Sequence, residues 1–294
     1  MMITNDYEPE AIDIPVTKVW DDADNQDGVR PDNVRVNLLA DGGIERIAEI
    51  EADENGEWSH TFTDLPVNDN GVEINYTVTE NTVEYYSTSI QDTGEEFTVT
   101  NSHTPGQTSA TVTKAWDDAN NQDGNRPVSI EVQLTADGEP TGEPVTLSTV
   151  DNWTYTWSDL DTHADGEEIV YSVEEVSTPE EYGASINDND HGNMIITNSY
   201  IPAETELPVS KVWDDEDNQD DIRPNNITVN LIADDGEIVN TAILDEENDW
   251  QYTFTELPQF ADGEEISYRV TENSVSEYST SITQNEEEFI INNS

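Results

Sequence analysis

Cysteine is absent from the 294 residues, so neither disulfides nor thiolate metal sites can stabilise the chain. Any covalent staple must come from other side chains. Basic residues are almost as scarce, with 9 Lys and Arg against 67 Asp and Glu and a net charge of −58. A field of that sign and size repels nucleic acid and anionic lipid and argues against both as partners. No stretch approaches the length and apolarity of a membrane span, so no membrane insertion is expected. Met1-Met2-Ile3-Thr4-Asn5-Asp6 lacks the basic region and apolar run of an export signal, and Ser294 follows no sorting motif; both suit a fragment of a longer exported protein. Phosphate loops and hydrolase elbows are missing too. His60, His103, His163 and His191 share no common position, which argues against zinc or a catalytic imidazole.

What is present is enough to fold. Hydrophobic residues make up 33%, with seven Trp, eleven Tyr and five Phe, so cores can form despite the charge. Internal similarity gives the organisation. Val16-Thr-Lys-Val-Trp-Asp-Asp recurs as Val112-Thr-Lys-Ala-Trp-Asp-Asp and Val209-Ser-Lys-Val-Trp-Asp-Asp, with Lys18, Lys114 and Lys211 spaced by 96 and 97 residues. Gln26-Asp-Gly-Val-Arg30-Pro31, Gln122-Asp-Gly-Asn-Arg126-Pro127 and Gln219-Asp-Asp-Ile-Arg223-Pro224 keep the register. So do Trp58-x-x-Thr-Phe-Thr-Asp-Leu65 and its counterparts from Trp153 and Trp250. Each unit closes on Tyr76-Thr-Val-Thr-Glu80, Tyr171-Ser-Val-Glu-Glu175 or Tyr268-Arg-Val-Thr-Glu272, then Thr100-Asn101-Ser102, Thr197-Asn198-Ser199 or Asn292-Asn293-Ser294.

A period near 96 residues is a whole domain, and three are expected, over 1–103, 104–201 and 202–294. Short runs rich in Val, Ile, Thr, Tyr and Trp alternate with turn signals such as Asp41-Gly42, Asp137-Gly138, Asp165-Gly166 and Asp262-Gly263. That pattern predicts all-β, immunoglobulin-like sandwiches. The junctions, residues 102–110 and 200–207, are short and rich in Pro, Gly, Ser and Thr, as in a semi-stiff string of domains.

The three lysines are the whole complement of the chain, and all hold one repeat position. Side chains alternate along a strand, so Lys18 shares a face with Val16 and Trp20, as do Lys114 and Lys211 with their own Val and Trp. The same rule turns Glu80, Glu175 and Glu272 toward the core with Tyr76 and Val78 and their equivalents. It also turns Asn101, Asn198 and Asn293 inward behind Phe97 and Val99, Met194 and Ile196, and Phe289 and Ile291. In the third ending this register selects Asn293 over Asn292. Burial favours neutral amine and neutral carboxyl. A neutral amine is a nucleophile, and a protonated carboxyl can polarise a carboxamide and relay protons, so each trio can form an amide and release ammonia. Ordinary ion pairs beside a turn-forming Asn are the plainer alternative.

These residues resemble the collagen-adhesin B-type (Cna-B) repeat of Gram-positive surface proteins and pili. The likeness runs through the Lys-x-Trp start, the Arg-Pro turn, the Val-x-Glu strand and the Thr-Asn ending of all three copies. It implies inverse immunoglobulin-like sandwiches with intramolecular bonds joining Lys18 to Asn101, Lys114 to Asn198 and Lys211 to Asn293, assisted by Glu80, Glu175 and Glu272. It implies a cell-surface stalk, with neighbouring domains of a longer, cell-wall-anchored protein as partners; a host or matrix ligand or a place in a pilus is the alternative. No spare lysine remains as a pilus polymerisation nucleophile. No non-repeating catalytic cluster stands out, so an enzyme acting on outside substrates is not expected.

Other features have ordinary readings. Asp22, Asp24 and Asp27 sit in an Asx-rich loop that superficially resembles a calcium site, one residue off the EF-hand spacing and without its closing Glu. No cofactor is expected beyond loosely bound calcium or other cations. Arg30, Arg126 and Arg223 are expected to pair with acids of these loops, and Trp58 and Phe62 to pack in the core rather than form a sugar platform.

The acidity predicts a surface adapted to salt. Added sodium chloride shortens the Debye length from about 8 Å near physiological strength to about 3 Å at 1 M. The thermal midpoint should therefore rise between low and molar salt; a flat or falling midpoint would contradict this.

Overall fold

The computed structural model describes residues 9–190, 192–234, 236–285 and 288–294; the N-terminal residues 1–6 and His191 lie outside them. The fold is all-β and repeats three times. In the first copy a four-stranded sheet runs in the order Ser59–Pro66, Ala11–Asp21, Phe97–Ser102, Ser87–Asp92. A three-stranded sheet, Gly43–Ile50, Val34–Ala40, Tyr76–Glu80, packs against it. The second copy repeats both orders, with Gln107–Asp117 beside Asn193–Ser199 in one sheet and Ser129–Ala136 beside Tyr171–Glu175 in the other. The third does so with Glu204–Trp213 beside Phe289–Asn293 and Asn226–Ile232 beside Arg269–Glu272.

Period-2 alternation supplies the core between the sheets. Val16, Val36, Leu38, Leu65 and Val99 are completely buried in the first copy, as are Val229, Leu231, Leu244 and Ile291 in the third. Expected core aromatics behave accordingly: Phe62 is buried, and the Trp58 ring meets Trp20 edge-on at 5.2 Å.

The first and last strands of a copy are parallel neighbours. Val16 pairs with Phe97, Lys18 with Val99 and Trp20 with Asn101; Lys211 likewise pairs with Ile291 and Trp213 with Asn293. Parallel neighbours need a crossover connection. Here the rest of the domain is that connection, so the chain enters along one strand and leaves along the next in the same direction.

Contacts gather into two compact units, Met1–Thr111 with Thr135–Pro140 and Thr156–Ser172, and Val112–Leu134 with Thr141–Tyr155 and Val173–Ser294. In the first unit, the Gly166 amide donates to the Gln26 carbonyl at 3.0 Å. A Cβ on Gly28, which has φ +69°, would lie 2.6 Å from the Gly166 Cα, so only glycine fits there. The second unit repeats the seat: the Gly263 amide donates to the Gln122 carbonyl at 3.0 Å, and a Cβ on Gly124 would lie 2.7 Å from the Gly263 Cα. At the same repeat position the third copy carries Asp221.

Candidate functional site

Each trio is assembled from both sheets. Lys18 and Asn101 lie on adjacent parallel strands, two register positions apart on one face, and Glu80 comes from the facing sheet, where it pairs with Val36. The Lys18 Nζ lies 3.9 Å from Glu80 Oε1, Lys114 Nζ 3.7 Å from Glu175 Oε2, and Lys211 Nζ 3.4 Å from Glu272 Oε1. All three Asn residues are 0% exposed, and Lys18, Lys114 and Lys211 are 4%, 4% and 6% exposed. In the third copy it is Asn293, not its half-buried neighbour Asn292, that faces inward.

The walls are apolar. Trp20, Trp116 and Trp213 cover the three ammonium groups at 3.9, 4.5 and 4.3 Å from ring centre to Nζ. Burial pushes each Lys down to about 8, with the nearby Glu opposing the shift without cancelling it. A lysine in that range supplies neutral amine near neutral pH.

Hydrogen bonding inside the trios is incomplete. Lys18 Nζ donates to the Val19 carbonyl at 2.9 Å, but both side-chain atoms of Asn101 and of Asn293 lack a partner. Asn198 Oδ1 lacks one too, while Lys114 Nζ, Lys211 Nζ, Glu80 Oε1, Glu175 Oε2 and Glu272 Oε1 have only the long ion contacts given above. A buried polar group left unpaired costs about 1–3 kcal/mol, so such groups rarely collect at one place, still less at one place in three copies. An amine, a carboxamide and a carboxyl held together away from water are the reactants and the acid–base catalyst of an aminolysis.

A second cluster braces the strand end beside the trio. Asp22 accepts from Arg30 Nη2 at 2.6 Å, from Arg30 Nε at 3.0 Å and from Tyr86 Oη at 2.8 Å. Asp118 with Arg126 and Tyr182, and Asp215 with Arg223 and Tyr278, repeat it. Burial works to raise the Asp22 and Asp118 carboxyls, but the Arg, Tyr and backbone donors together hold both below the usual carboxylate range.

The loop acids considered for a cation go separate ways. Asp22 is spent on Arg30 and Tyr86, and Asp24 projects fully into solvent. Asp27 Oδ2 takes the Gly106 amide and His103 Nε2, each at 2.9 Å. Asp123 Oδ2 takes Tyr200 Oη at 2.9 Å and the Ala203 amide at 2.8 Å. Among the described residues no three of His, Cys, Asp and Glu are grouped to hold a metal ion.

A family model described as the Cna protein B-type domain matches residues 14–102, 110–199 and 207–294. The chain belongs to this family. It is 48% identical over 282 residues to the collagen adhesin of Staphylococcus aureus, covering 96% of the chain and 23% of that protein's length. The crystal structure of two B repeat units of the collagen-binding protein of S. aureus superposes with a TM-score of 0.61 at 46% identity, over 97% of this chain and 73% of that one.

Two parts of these B-type repeats escaped sequence reasoning. Tyr86, Tyr182 and Tyr278 complete the Asp–Arg pairs, a role their recurring position six or seven residues after Glu80, Glu175 and Glu272 does not announce. Thr88 and Thr280 reach the buried carboxyls, donating to Glu80 Oε2 at 2.9 Å and to Glu272 Oε2 at 2.7 Å. Their signal was the constant spacing of eight residues from each Glu.

Replacing Asp118 by Asn strips Arg126 and Tyr182 of a charged acceptor and should destabilise the second sandwich by about 2–3 kcal/mol, read by chemical denaturation. Because the folded carboxyl sits below its unfolded value, its contribution is complete above the ordinary carboxylate range and fades as pH falls through the lowered folded value. The variant should therefore lose less stability on acidification than the parent; equal acid sensitivity would contradict the assignment.

Proposed function

We propose that this chain is a stalk segment of a bacterial surface adhesin, in which each sandwich closes itself with one Lys–Asn amide bond. The observation that carries this reading is the threefold recurrence of a buried amine, carboxyl and carboxamide whose hydrogen bonds are left incomplete. Membership of the B-type family and likeness to a collagen adhesin support an extracellular setting, with neighbouring domains of a longer protein as the immediate partners.

The chemistry balances within each trio. The Lys ammonium passes a proton to the Glu carboxylate, and the freed amine attacks the Asn side-chain carbon. The Glu relays protons between Nζ and Nδ2, the bond to Nδ2 breaks, and ammonia leaves with that electron pair. A neutral amide replaces an ion pair, and the reaction runs once per domain without an outside substrate.

The bond would join the first strand to its parallel neighbour, the last. By the loop-entropy relation used for disulfides, tying Lys18 to Asn101 removes roughly 4–5 kcal/mol of unfolded-state entropy. Resistance to force, heat and proteases suits a spacer. A module that itself binds a matrix protein is the second reading, favoured by the name of the S. aureus relative. Immobilised collagen retaining the purified chain would support it.

The intact mass of the denatured chain should fall short of the sequence mass by three ammonia molecules, and peptide mapping should find Lys18 joined to Asn101, Lys114 to Asn198 and Lys211 to Asn293. Glu80→Gln should leave the first sandwich folded and remove its bond alone. An uncorrected mass in folded protein would overturn the proposal.

A further inference from the structure

The three trios are not equivalent, and the difference lies on the edge strand. Thr88 stands directly opposite Asn101 in the antiparallel pairing, Thr280 opposite Asn293, and Ala184 opposite Asn198. Where threonine is present, its hydroxyl donates to Oε2 of the Glu, and the other oxygen, Oε1, is the one nearest the Lys amine. With alanine there is no such donor. Glu175 then takes the Asn198 amide itself, Nδ2 donating to Oε1 at 3.1 Å, while Oε2 lies 3.7 Å from Lys114 Nζ.

This matters for where the relayed proton is carried. A carboxylic acid has one oxygen that donates and one that accepts. A hydroxyl donating to Oε2 makes Oε2 the accepting oxygen, so the proton gained from the Lys is carried on Oε1. Oε1 faces the reacting groups. In the second copy no outside hydroxyl fixes the carboxyl: Oε1 accepts from Asn198 Nδ2, the leaving nitrogen itself, and that bond must be given up before the nitrogen can take a proton.

We infer that Thr88 and Thr280 are positioning residues for bond formation, fixing the Glu so that its proton is delivered from the oxygen beside the Lys and Asn, and that the second domain lacks this aid. The inference rests on the cross-linking proposed above. Bond formation follows the same balance: Oε1 receives one proton from Nζ, Nζ attacks the Asn carbon, Oε1 hands that proton to Nδ2, ammonia departs with the electrons of the broken C–Nδ2 bond, and the second Nζ proton passes to the Glu, which ends neutral. The threonine hydroxyl acts on the Glu alone. Its proton never leaves it.

The test follows the three bonds separately in one full-length chain. Cell-free synthesis is stopped in acidic denaturant at intervals, and peptide mapping counts the linked and unlinked forms of each pair. Thr88→Val keeps the shape of an exposed side chain and removes its hydroxyl. It should slow the Lys18–Asn101 bond about tenfold, as loss of one charged hydrogen bond allows, while the other two bonds serve as internal clocks. Thr88→Ser should restore the rate, which a merely structural role for the β-branched side chain would not. Ala184→Thr should speed the Lys114–Asn198 bond, which in the parent should be the slowest. A parental rate in Thr88→Val, a Ser variant as slow as Val, or an Ala184→Thr variant without gain would overturn the inference while leaving the cross-link intact. Absence of every bond from the parent would overturn the cross-link, and this inference with it.

Discussion

The structure depends on desolvating an amine. Placing a lysine between two sheets removes it from water, and only a counter-charge or a change of protonation makes that tolerable. Each sandwich supplies both: Glu80, Glu175 or Glu272 at 3.4–3.9 Å and a tryptophan over the ammonium group. The same burial that costs stability lowers the lysine to about 8, so a share of it is neutral amine, the form able to act as a nucleophile. The penalty and the reactivity have one origin, and the proposed neutral amide would relieve the first by using the second.

Topology would give the proposed reaction its mechanical meaning. The strands that carry the Lys and the Asn are neighbours in space and the first and last of their domain in sequence, running in the same direction. A link between them places nearly the whole sandwich on a side branch of the force path. The Asp–Arg–Tyr cluster braces the point where the first strand ends, just beyond the tryptophan, so the lysine strand is held at the end nearest its partner. Around this interior the surface is free to be almost purely acidic.

Much of this was legible in the sequence because strands carry a strict period of two. Val16, Lys18 and Trp20 declare their common face in five residues, and three copies at one spacing make the fold and the trios readable together. What stayed hidden depends on pairings that no local pattern encodes. Asp27 looked like part of a cation loop because its partners, His103 and Gly106, lie more than seventy residues away. Gly28 stands in the sequence only as part of a repeated landmark, and the close approach of Gly166 that demands a glycine there lies far along the chain. Thr88 is exposed by every local measure, and only the register opposite Asn101 ties its hydroxyl to the buried carboxyl.

Force applied along the chain tests the central claim most directly, since a covalent link between entry and exit strands changes what a single molecule can release. Pulled from its two ends, the chain should lengthen without domain-unfolding steps up to the force at which the attachment fails. Three unfolding events, each releasing roughly 280 Å for the 83 residues between Lys18 and Asn101 or their equivalents, would contradict it.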